Sequence, residues 1–230
     1  MVKQHLKRIA MPNTWQIKRK GIMFITRPKP GSHKMADGLS LNALLKHVLG
    51  VTATTKEVKA VANAKDVLVD GVPRKDHRYI TGLFDVVAFP KTKKHFRIIL
   101  NKYAKIDAIE IDEKDAGLKP CKLMKKTLLK GNKIQLNLSD GRNMIIGKND
   151  YKVGDTLLIS LPKQEIKDHF PLEKKSCIFL IGGKNAGAVG IVSTIEDRNI
   201  RMITSDKTEI ETLKKYAFVI GKGKPAVKVQ

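Results

Sequence analysis

The sequence predicts an α+β, multi-domain protein: a basic extended N-terminal arm, a small helical domain, a central β domain and a C-terminal small barrel. Three observations support this. The first 34 residues carry nine Lys or Arg and no Asp or Glu. Apolar residues then recur at helical spacing between 41 and 62, and from Phe96 onward they alternate as in strands. The predicted boundaries are 1–36, 37–95, 96–173 and 174–230.

Composition limits the class of protein. The 230 residues carry a net charge of +23, with 42% hydrophobic but only 5% aromatic residues, which favours several small cores over one large core. No run of 18 apolar residues exists, so we expect no membrane span, and the N-terminus lacks the apolar stretch of a signal peptide. The isolated Cys121 and Cys177 leave no zinc framework and suit a reducing, cytoplasmic location.

The arm is the strongest functional signal. A segment with this charge and few apolar residues repels itself, so we expect it to order only against a polyanion, for which nucleic acid is the obvious candidate. Trp15, the sole Trp, is expected either to stack on a base or to pack on the folded body. The candidate RNA-binding residues of the arm are Lys3, His5, Lys7, Arg8, Trp15, Lys18, Arg19, Lys20, Arg27, Lys29, His33 and Lys34.

Two helices are predicted after the arm. Ser40 can cap a first helix that ends at Gly50. Its buried face is predicted to comprise Leu41, Leu44, Leu45, Val48 and Leu49. A capping box over residues 54–57 opens a second helix, with Val58, Val61 and Ala62 facing inward and Lys56, Lys59 and Asn63 on the opposite face. A strand at 67–69, an Asp70-Gly71 turn and a return strand with Pro73 at a sheet edge follow. Residues 83–89 are predicted to form another strand.

The remaining chain is predicted to be all β. Strands are expected at 134–138, 144–146 and 156–161, with turns at Asp140-Gly141 and 153–155. The strands at 177–181, 188–195, 200–204 and 217–220 have the spacing of a small five-stranded barrel.

The two-helix unit with Val67-Leu68-Val69-Asp70-Gly71 resembles the αL RNA-binding motif. That resemblance implies contacts with structured RNA, and the alternative is a solvated basic face. Lys65 stands where the motif usually has Gly, so we expect the turn to place Asn63 in the left-handed region. The residues implied in RNA binding are Lys46, Lys56, Lys59, Arg74 and Lys75.

Residues 180–192 resemble a KOW motif, in which a glycine-rich loop joins two barrel strands. Gly182, Gly187 and Gly190 match the spacing, and Lys184 and Asn185 are the candidate RNA contacts. The alternative is a tight loop of any small barrel, because glycine permits turns wherever they are needed.

The order of these segments carries a wider resemblance. His5-Leu6-Lys7-Arg8, the αL-like unit, Tyr151-Lys152-Val153-Gly154-Asp155, the KOW-like loop and residues 218–225 together resemble the family of small-subunit ribosomal protein four of the e type. The resemblance covers nearly the whole chain, and the short tail looks archaeal. It implies a protein without catalytic activity, located on the cytoplasmic ribosome, whose partners are small-subunit rRNA and neighbouring ribosomal proteins. It implies no membrane, no small-molecule substrate and no cofactor.

Other functions are disfavoured by the residues. Gly183-Lys184 lacks the earlier Gly and the following Ser or Thr of a P-loop, and a dinucleotide fingerprint at 221–226 is followed by no helix. The acidic residues between 107 and 115 are expected to form a solvated loop rather than a magnesium site, and no metal site is predicted. A pseudouridine-synthase-like enzyme would need a separate catalytic domain. A KOW-containing transcription or translation regulator that binds RNA off the ribosome is the remaining alternative.

Overall fold

The computed structural model describes residues 5–131, 133–147, 150–205 and 207–229, so the predicted RNA contact Lys3 lies outside the described residues. The chain divides into two compact units. Unit 1 comprises Met1–Ile99 with Lys105–Gly117, and unit 2 comprises Leu100–Ala104 with Leu118–Gln230. A search of the described ranges finds no helix both long and apolar enough to cross a membrane.

The described residues of unit 1 form the helices and nine short strands. Its elements are β1 (Leu6–Lys7), a 3-10 turn (Arg8–Ala10), β2 (Phe24–Ile25), β3 (Gly38–Ser40), α1 (Leu41–Ala43) continued by a π-helical turn (Leu44–Val48), α2 (Thr55–Asn63), β4 (Leu68–Val69), β5 (Val72–Pro73), β6 (Ile80–Gly82), β7 (Val86–Phe89), β8 (Lys94–Leu100), β9 (Ile106–Ile111) and α3 (Glu113–Ala116). The sheet order is β5-β4-β7-β8-β9, with the separate pairs β1–β2 and β3–β6.

The first helix begins where the sequence predicts but winds differently. Ser40 Oγ accepts a hydrogen bond of 3.2 Å from Ala43 N, as an N-cap does. After one α turn the pitch widens, because Leu49 N donates to Leu44 O, five residues earlier, at 2.9 Å. Gly50 then reverses the chain with φ +64°. The buried face is confirmed at Leu41, Leu44 and Leu45, whereas Val48 and Leu49 are half-buried. The single regular helix is not formed.

The second helix confirms the capping box. Thr54 Oγ1 accepts from Glu57 N at 3.2 Å, and Glu57 Oε2 accepts from Ala53 N at 2.9 Å. The hydrogen bond from Ala53 N is the main reason that the pKa of Glu57 is lowered. Val58 and Ala62 are buried, while Lys56 and Lys59 are exposed.

The end of α2 corrects one expectation. Asn63 is still helical, and Lys65 takes the left-handed conformation instead, with φ +61°. Asp66 N donates to Val61 O at 3.2 Å and Lys65 N to Ala62 O at 3.1 Å, which is the pattern of a Schellman C-cap. The helix continues through Asn63, so the residue that must reverse the chain is Lys65.

The hairpin after α2 follows the sequence prediction. Asp70 and Gly71 have φ values of +53° and +75°, as a two-residue type I′ turn requires. Pro73 lies in β5 at the edge of the sheet, where its missing N–H costs no ladder bond.

Unit 2 consists of two five-stranded antiparallel sheets. Its strands are β10 (Leu118–Leu128), β11 (Ile134–Leu138), β12 (Asn143–Ile146), β13 (Thr156–Ser160), β14 (Ile166–Phe170), β15 (Ser176–Leu180), β16 (Val189–Ile195), β17 (Asn199–Thr204), β18 (Glu209–Leu213) and β19 (Ala217–Lys222), with a 3-10 turn at Lys214–Tyr216. The sheet orders are β12-β11-β10-β13-β14 and β18-β17-β16-β15-β19. Three strands of unit 2 are not among those predicted from the sequence: β10, β14 and β18. The short α3 of unit 1 lies in a region predicted to be all β.

Charged side chains are buried in the first sheet of unit 2. Asp140 Oδ2 lies 3.2 Å from Lys119 Nζ and 3.2 Å from Arg142 Nε, and the side chains of Asp140 and Lys119 are 3% and 2% exposed. Cys121 Sγ donates to the same carboxylate oxygen at 3.4 Å. Burial raises the pKa of the Cys121 thiol, so this cysteine is a small buried side chain rather than a reactive one.

Lys122 is a second buried cation of unit 2, and it contacts carbonyl groups. Its Nζ donates to Ala217 O at 2.6 Å and to Lys215 O at 3.1 Å, which joins β10 to the start of β19. Burial lowers the pKa of Lys122 to about 8.

Lys122 should make stability depend on pH. Between about pH 8 and the unfolded-state pKa of about 10.4, the unfolded chain binds more protons than the folded chain, so the free energy of unfolding rises with pH. In the native chain, the free energy of unfolding should rise by about 2 kcal/mol between pH 7 and pH 10 because of this group, and we expect the rise to be absent in Lys122→Met. Urea unfolding of both proteins at the two pH values measures it, and parallel pH dependences would contradict it.

Candidate nucleic-acid interface

Trp15 anchors the arm in unit 1. Its side chain is 2% exposed, and its Nε1 donates to Gly38 O at 3.0 Å. The neighbouring backbone is also fixed, because Ile106 N donates to Thr14 O at 2.7 Å. Of the two roles predicted for Trp15, the structure shows packing on the folded body, and a buried indole cannot stack on a base.

His33, another predicted RNA contact, is a second anchor. Its Nε2 lies 3.0 Å from Asp85 Oδ1, and the two side chains are 8% and 2% exposed. Gly82 packs against the imidazole so closely that a Cβ atom at this position would collide with the ring. His33 therefore faces the interior of unit 1 rather than a ligand.

These anchors correct the expectation that the arm orders only against a polyanion. Leu6 and Lys7 in β1 pair with Ile25 and Phe24 in β2, and Met11 is 3% exposed. The buried side chains of Met11 and Trp15 hold the segment on unit 1. The prediction from charge alone did not consider this apolar packing.

Arg19 stabilises the path of the arm. Its Nη1 donates to Ile9 O at 2.7 Å, and its Nη2 donates to Met11 O at 3.3 Å and to Asn13 Oδ1. A planar guanidinium suits this fork, which a lysine ammonium cannot reproduce. Arg19 thus has a structural task in addition to any contact with RNA.

We therefore expect Arg19→Ala and Arg19→Lys to loosen residues 9–13. Amide hydrogen exchange at these residues should rise by about tenfold, which corresponds to about 1.4 kcal/mol for the lost charged hydrogen bonds. The exposed Lys18→Ala is the control and should leave exchange unchanged. Equal exchange in Arg19→Ala and the native chain would contradict this role.

The exposed cations of the arm remain available to a ligand. Within the described residues, Lys7, Lys18, Lys20 and Lys34 are exposed and form no ion pair. Lys29 contacts Asp76, although its side chain is still 56% exposed. Arg8 and Arg27 are half-buried, and the exposed His5 ring lies 5.5 Å from that of Phe24. The arm thus presents mainly lysines to solvent, together with Arg19.

The helices of unit 1 extend this basic surface. Lys56 and Lys59 are exposed on α2, and Lys46 is half-buried on the π-helical turn. Partial burial and the charges of Arg8 and Lys46 lower the pKa of His47. Arg8, from the arm, is therefore close enough to the helices to share one positive field with them.

His77, on the segment after β5, lies in the same positive field. Burial is the largest cause of its lowered pKa. The charges of Lys59, Arg78 and Lys29 lower the pKa further, whereas the charge of Asp76 raises it. The arm, the helices and this segment thus contribute to one basic surface.

Arg74 and Lys75 differ in their surroundings. The Arg74 guanidinium lies 4.3 Å from the centre of the Tyr79 ring and is half-buried, so it packs on the protein's own aromatic side chain. Lys75 is exposed.

The glycine-rich loop of unit 2 is held by close packing. A Cβ atom on Gly182 would lie 2.6 Å from the Tyr216 ring, and one on Gly190 would lie 2.6 Å from Ile203 O. A Cβ atom on Gly187 would collide with Asn101 O. The glycines are thus required by the fold, while Lys184 and Asn185 are exposed at the tip.

The described ranges contain no group of three or more His, Cys, Asp or Glu side chains that could hold a metal ion. The predicted acidic loop is wrong, because Asp107 and Glu110 lie on β9 and Glu113 and Asp115 lie on α3. What the arrangement offers to a ligand is therefore exposed ammonium groups.

Comparison with known proteins decides the family. The model of the Ribosomal family S4e matches residues 92–166, and the RS4NT (NUC023) domain matches residues 2–36. The chain is 38% identical to the small ribosomal subunit protein eS4 of Methanocella arvoryzae, over 99% of this chain and 98% of that protein. The chain belongs to the ribosomal S4e family. The S4e protein of Methanocaldococcus jannaschii, also named small ribosomal subunit protein eS4, is 38% identical over 99% of this chain and 98% of its own.

The S4e fold is matched by a solved structure as well. The crystal structure of the 30S ribosomal protein S4e from Thermoplasma acidophilum aligns with a TM-score of 0.67 at 23% identity, over 81% of this chain and 95% of that chain. The family resemblance predicted from the sequence is confirmed, and so is a mostly β fold with few helices.

Proposed function

We propose that this protein is a structural constituent of the small ribosomal subunit and binds its rRNA through the basic surface of unit 1. The observation that carries the proposal is the full-length similarity to proteins named small ribosomal subunit protein eS4. The net charge of +23 and the exposed lysines of the arm and of α2 support it. Lysines at such positions replace the counterions of RNA phosphates, which is the main source of non-specific affinity.

The finer architecture belongs to the same proposal. The capped helix pair followed by the β4–β5 hairpin supports an αL-type RNA-binding domain at 37–95. The five-stranded sheet β15–β19, with its glycine-rich loop between β15 and β16, supports a KOW SH3-like barrel at 174–230. The RS4NT match over residues 2–36 supports an arm at 1–36. The central β domain is proposed at 96–173, although β8 and β9 pair with the sheet of unit 1.

The partners follow from this role. We propose small-subunit rRNA and neighbouring ribosomal proteins as partners, a cytoplasmic location on the ribosome, and no catalytic activity. RNA contacts are proposed for the exposed residues of the predicted set, while Trp15 and His33 are excluded by their burial. The retained residues are His5, Lys7, Lys18, Arg19, Lys20, Lys29, Lys34, Lys56, Lys59, Lys75, Lys184 and Asn185. Four further predicted residues are half-buried, so less of each side chain is accessible to RNA. They remain proposed contacts: Arg8, Arg27, Lys46 and Arg74.

Sedimentation tests this function directly. Native lysate is separated on a gradient at moderate salt and magnesium, with and without ribonuclease treatment. Stoichiometric co-migration with the small subunit that is lost on digestion supports the proposal. Migration as a free protein or with RNA polymerase contradicts it and favours a KOW-containing regulator.

A further inference from the structure

A tight turn in unit 2 presents one aromatic side chain to solvent. Tyr103 N donates to Asn101 Oδ1 at 3.0 Å, and Ala104 N donates to Asn101 O at 2.9 Å. Ala104 completes the reversal with φ +56°. The Asn101 side chain and backbone thus fix the direction in which the chain projects Tyr103.

Tyr103 differs from the other tyrosines of the protein. Its side chain is 70% exposed, whereas Tyr79, Tyr151 and Tyr216 are half-buried. Lys102 Nζ lies 5.3 Å from the centre of the Tyr103 ring, which places a positive charge beside the aromatic surface. An exposed ring of this size next to a cation is unexplained by packing within unit 2.

The glycine-rich loop also supports this turn. Gly187, in the glycine-rich loop, packs directly on the backbone of Leu100 and Asn101. The support is specific, because a side chain at position 187 would collide with the Asn101 carbonyl. The exposed Lys184 and Asn185 belong to this same loop, so the turn and the loop form one continuous surface.

The charge of both segments favours a polyanion over a protein partner. Residues 100–104 contain Lys102 and residues 174–195 contain three Lys, and neither range contains Asp or Glu. Aromatic rings of RNA-binding proteins stack on unpaired bases, with neighbouring cations on the adjacent phosphates. A hydrophobic protein partner would not require that cationic setting.

We propose that Tyr103 is a stacking site for an unpaired base of rRNA, with Lys102 and Lys184 on the flanking phosphates. This inference rests on the proposed function of rRNA binding. The proposed contact lies on unit 2 and is not specific for one base, because every base offers an aromatic face.

The test separates stacking from charge. Binding of the full chain to small-subunit rRNA is measured over a range of salt concentrations for Tyr103→Ala, Tyr103→Phe and Lys102→Ala. Tyr103→Ala should weaken binding about 5- to 150-fold without changing the slope of log K against log salt, because stacking releases no counterion. Tyr103→Phe should bind as the native chain does. Lys102→Ala should reduce the magnitude of the slope by about 0.7.

A matched control removes another exposed apolar side chain from unit 2. Ile145 is 63% exposed, and Ile145→Ala should leave affinity unchanged. Native affinity in Tyr103→Ala, or a loss shared by Tyr103→Phe or accompanied by a change in slope, would overturn the stacking site while leaving the proposed function intact. Failure of the native chain to bind the rRNA would overturn both.

Discussion

Replacing Lys18, Lys20 and Lys34 together with alanine is expected to weaken rRNA binding about 100-fold at 0.15 M salt. Each phosphate contact contributes about 0.7 to 0.9 to the slope of log K against log salt. If the contacts owe their free energy to counterion release, each one raises the binding constant about fivefold at this salt concentration. The slope should therefore fall in magnitude by about 2 to 3. Titration of rRNA at several salt concentrations measures both quantities.

The control uses lysines that already form an ion pair with a carboxylate of the protein. Lys91 lies 2.6 Å from Asp66, and Lys167 lies 3.7 Å from Glu165. Lys91→Ala with Lys167→Ala should change the slope by far less per lysine removed. A slope that falls equally per lysine in both variants would show that affinity follows total charge and not the basic surface of unit 1.

Asp140→Ala should have the largest effect on stability. The substitution removes the carboxylate that faces Lys119 and Arg142 in the interior of unit 2, together with the acceptor of the Arg142 N–H at 3.2 Å. Removing one member of a buried ion pair typically costs about 3–5 kcal/mol, because the remaining charge stays desolvated. Urea unfolding followed by circular dichroism measures the change.

An exposed ion pair is the matched comparison for Asp140. Glu165 and Lys167 are 59% and 56% exposed, so Glu165→Ala should cost no more than about 1 kcal/mol. A similar small loss in Asp140→Ala would mean that water reaches the Asp140 site and that the network contributes little to unit 2.

Local structure was largely predictable from the sequence. The Ser40 cap, the capping box of Thr54 and Glu57 and the Asp70-Gly71 turn all depend on residues within four positions of each other, and all are present. The exception at Lys65 is also local. A non-glycine residue is rare in the left-handed region, so the sequence directed attention to Asn63 instead.

The candidate site was less predictable because its residues depend on distant partners. His33 was included as a basic arm residue, yet Asp85, 52 positions away, holds it inside unit 1. Trp15 meets Gly38 and Ile106. Tyr103 carries no sequence signal of exposure, because its surroundings depend partly on Gly187, a distant residue that packs on Asn101. Charge patterning identified the basic segment correctly but not which side chains face outward.

The two anchors of the arm have a consequence for ribosome assembly. Trp15 and His33 attach the segment between them to unit 1 at both of its ends, so residues 16–32 form a closed loop rather than a tail. Closing a loop reduces the number of conformations that it can sample before it binds. Under the proposed function, less conformational entropy is then lost on binding rRNA, and the proposed contacts Lys18 and Lys20 are held on the folded body beforehand.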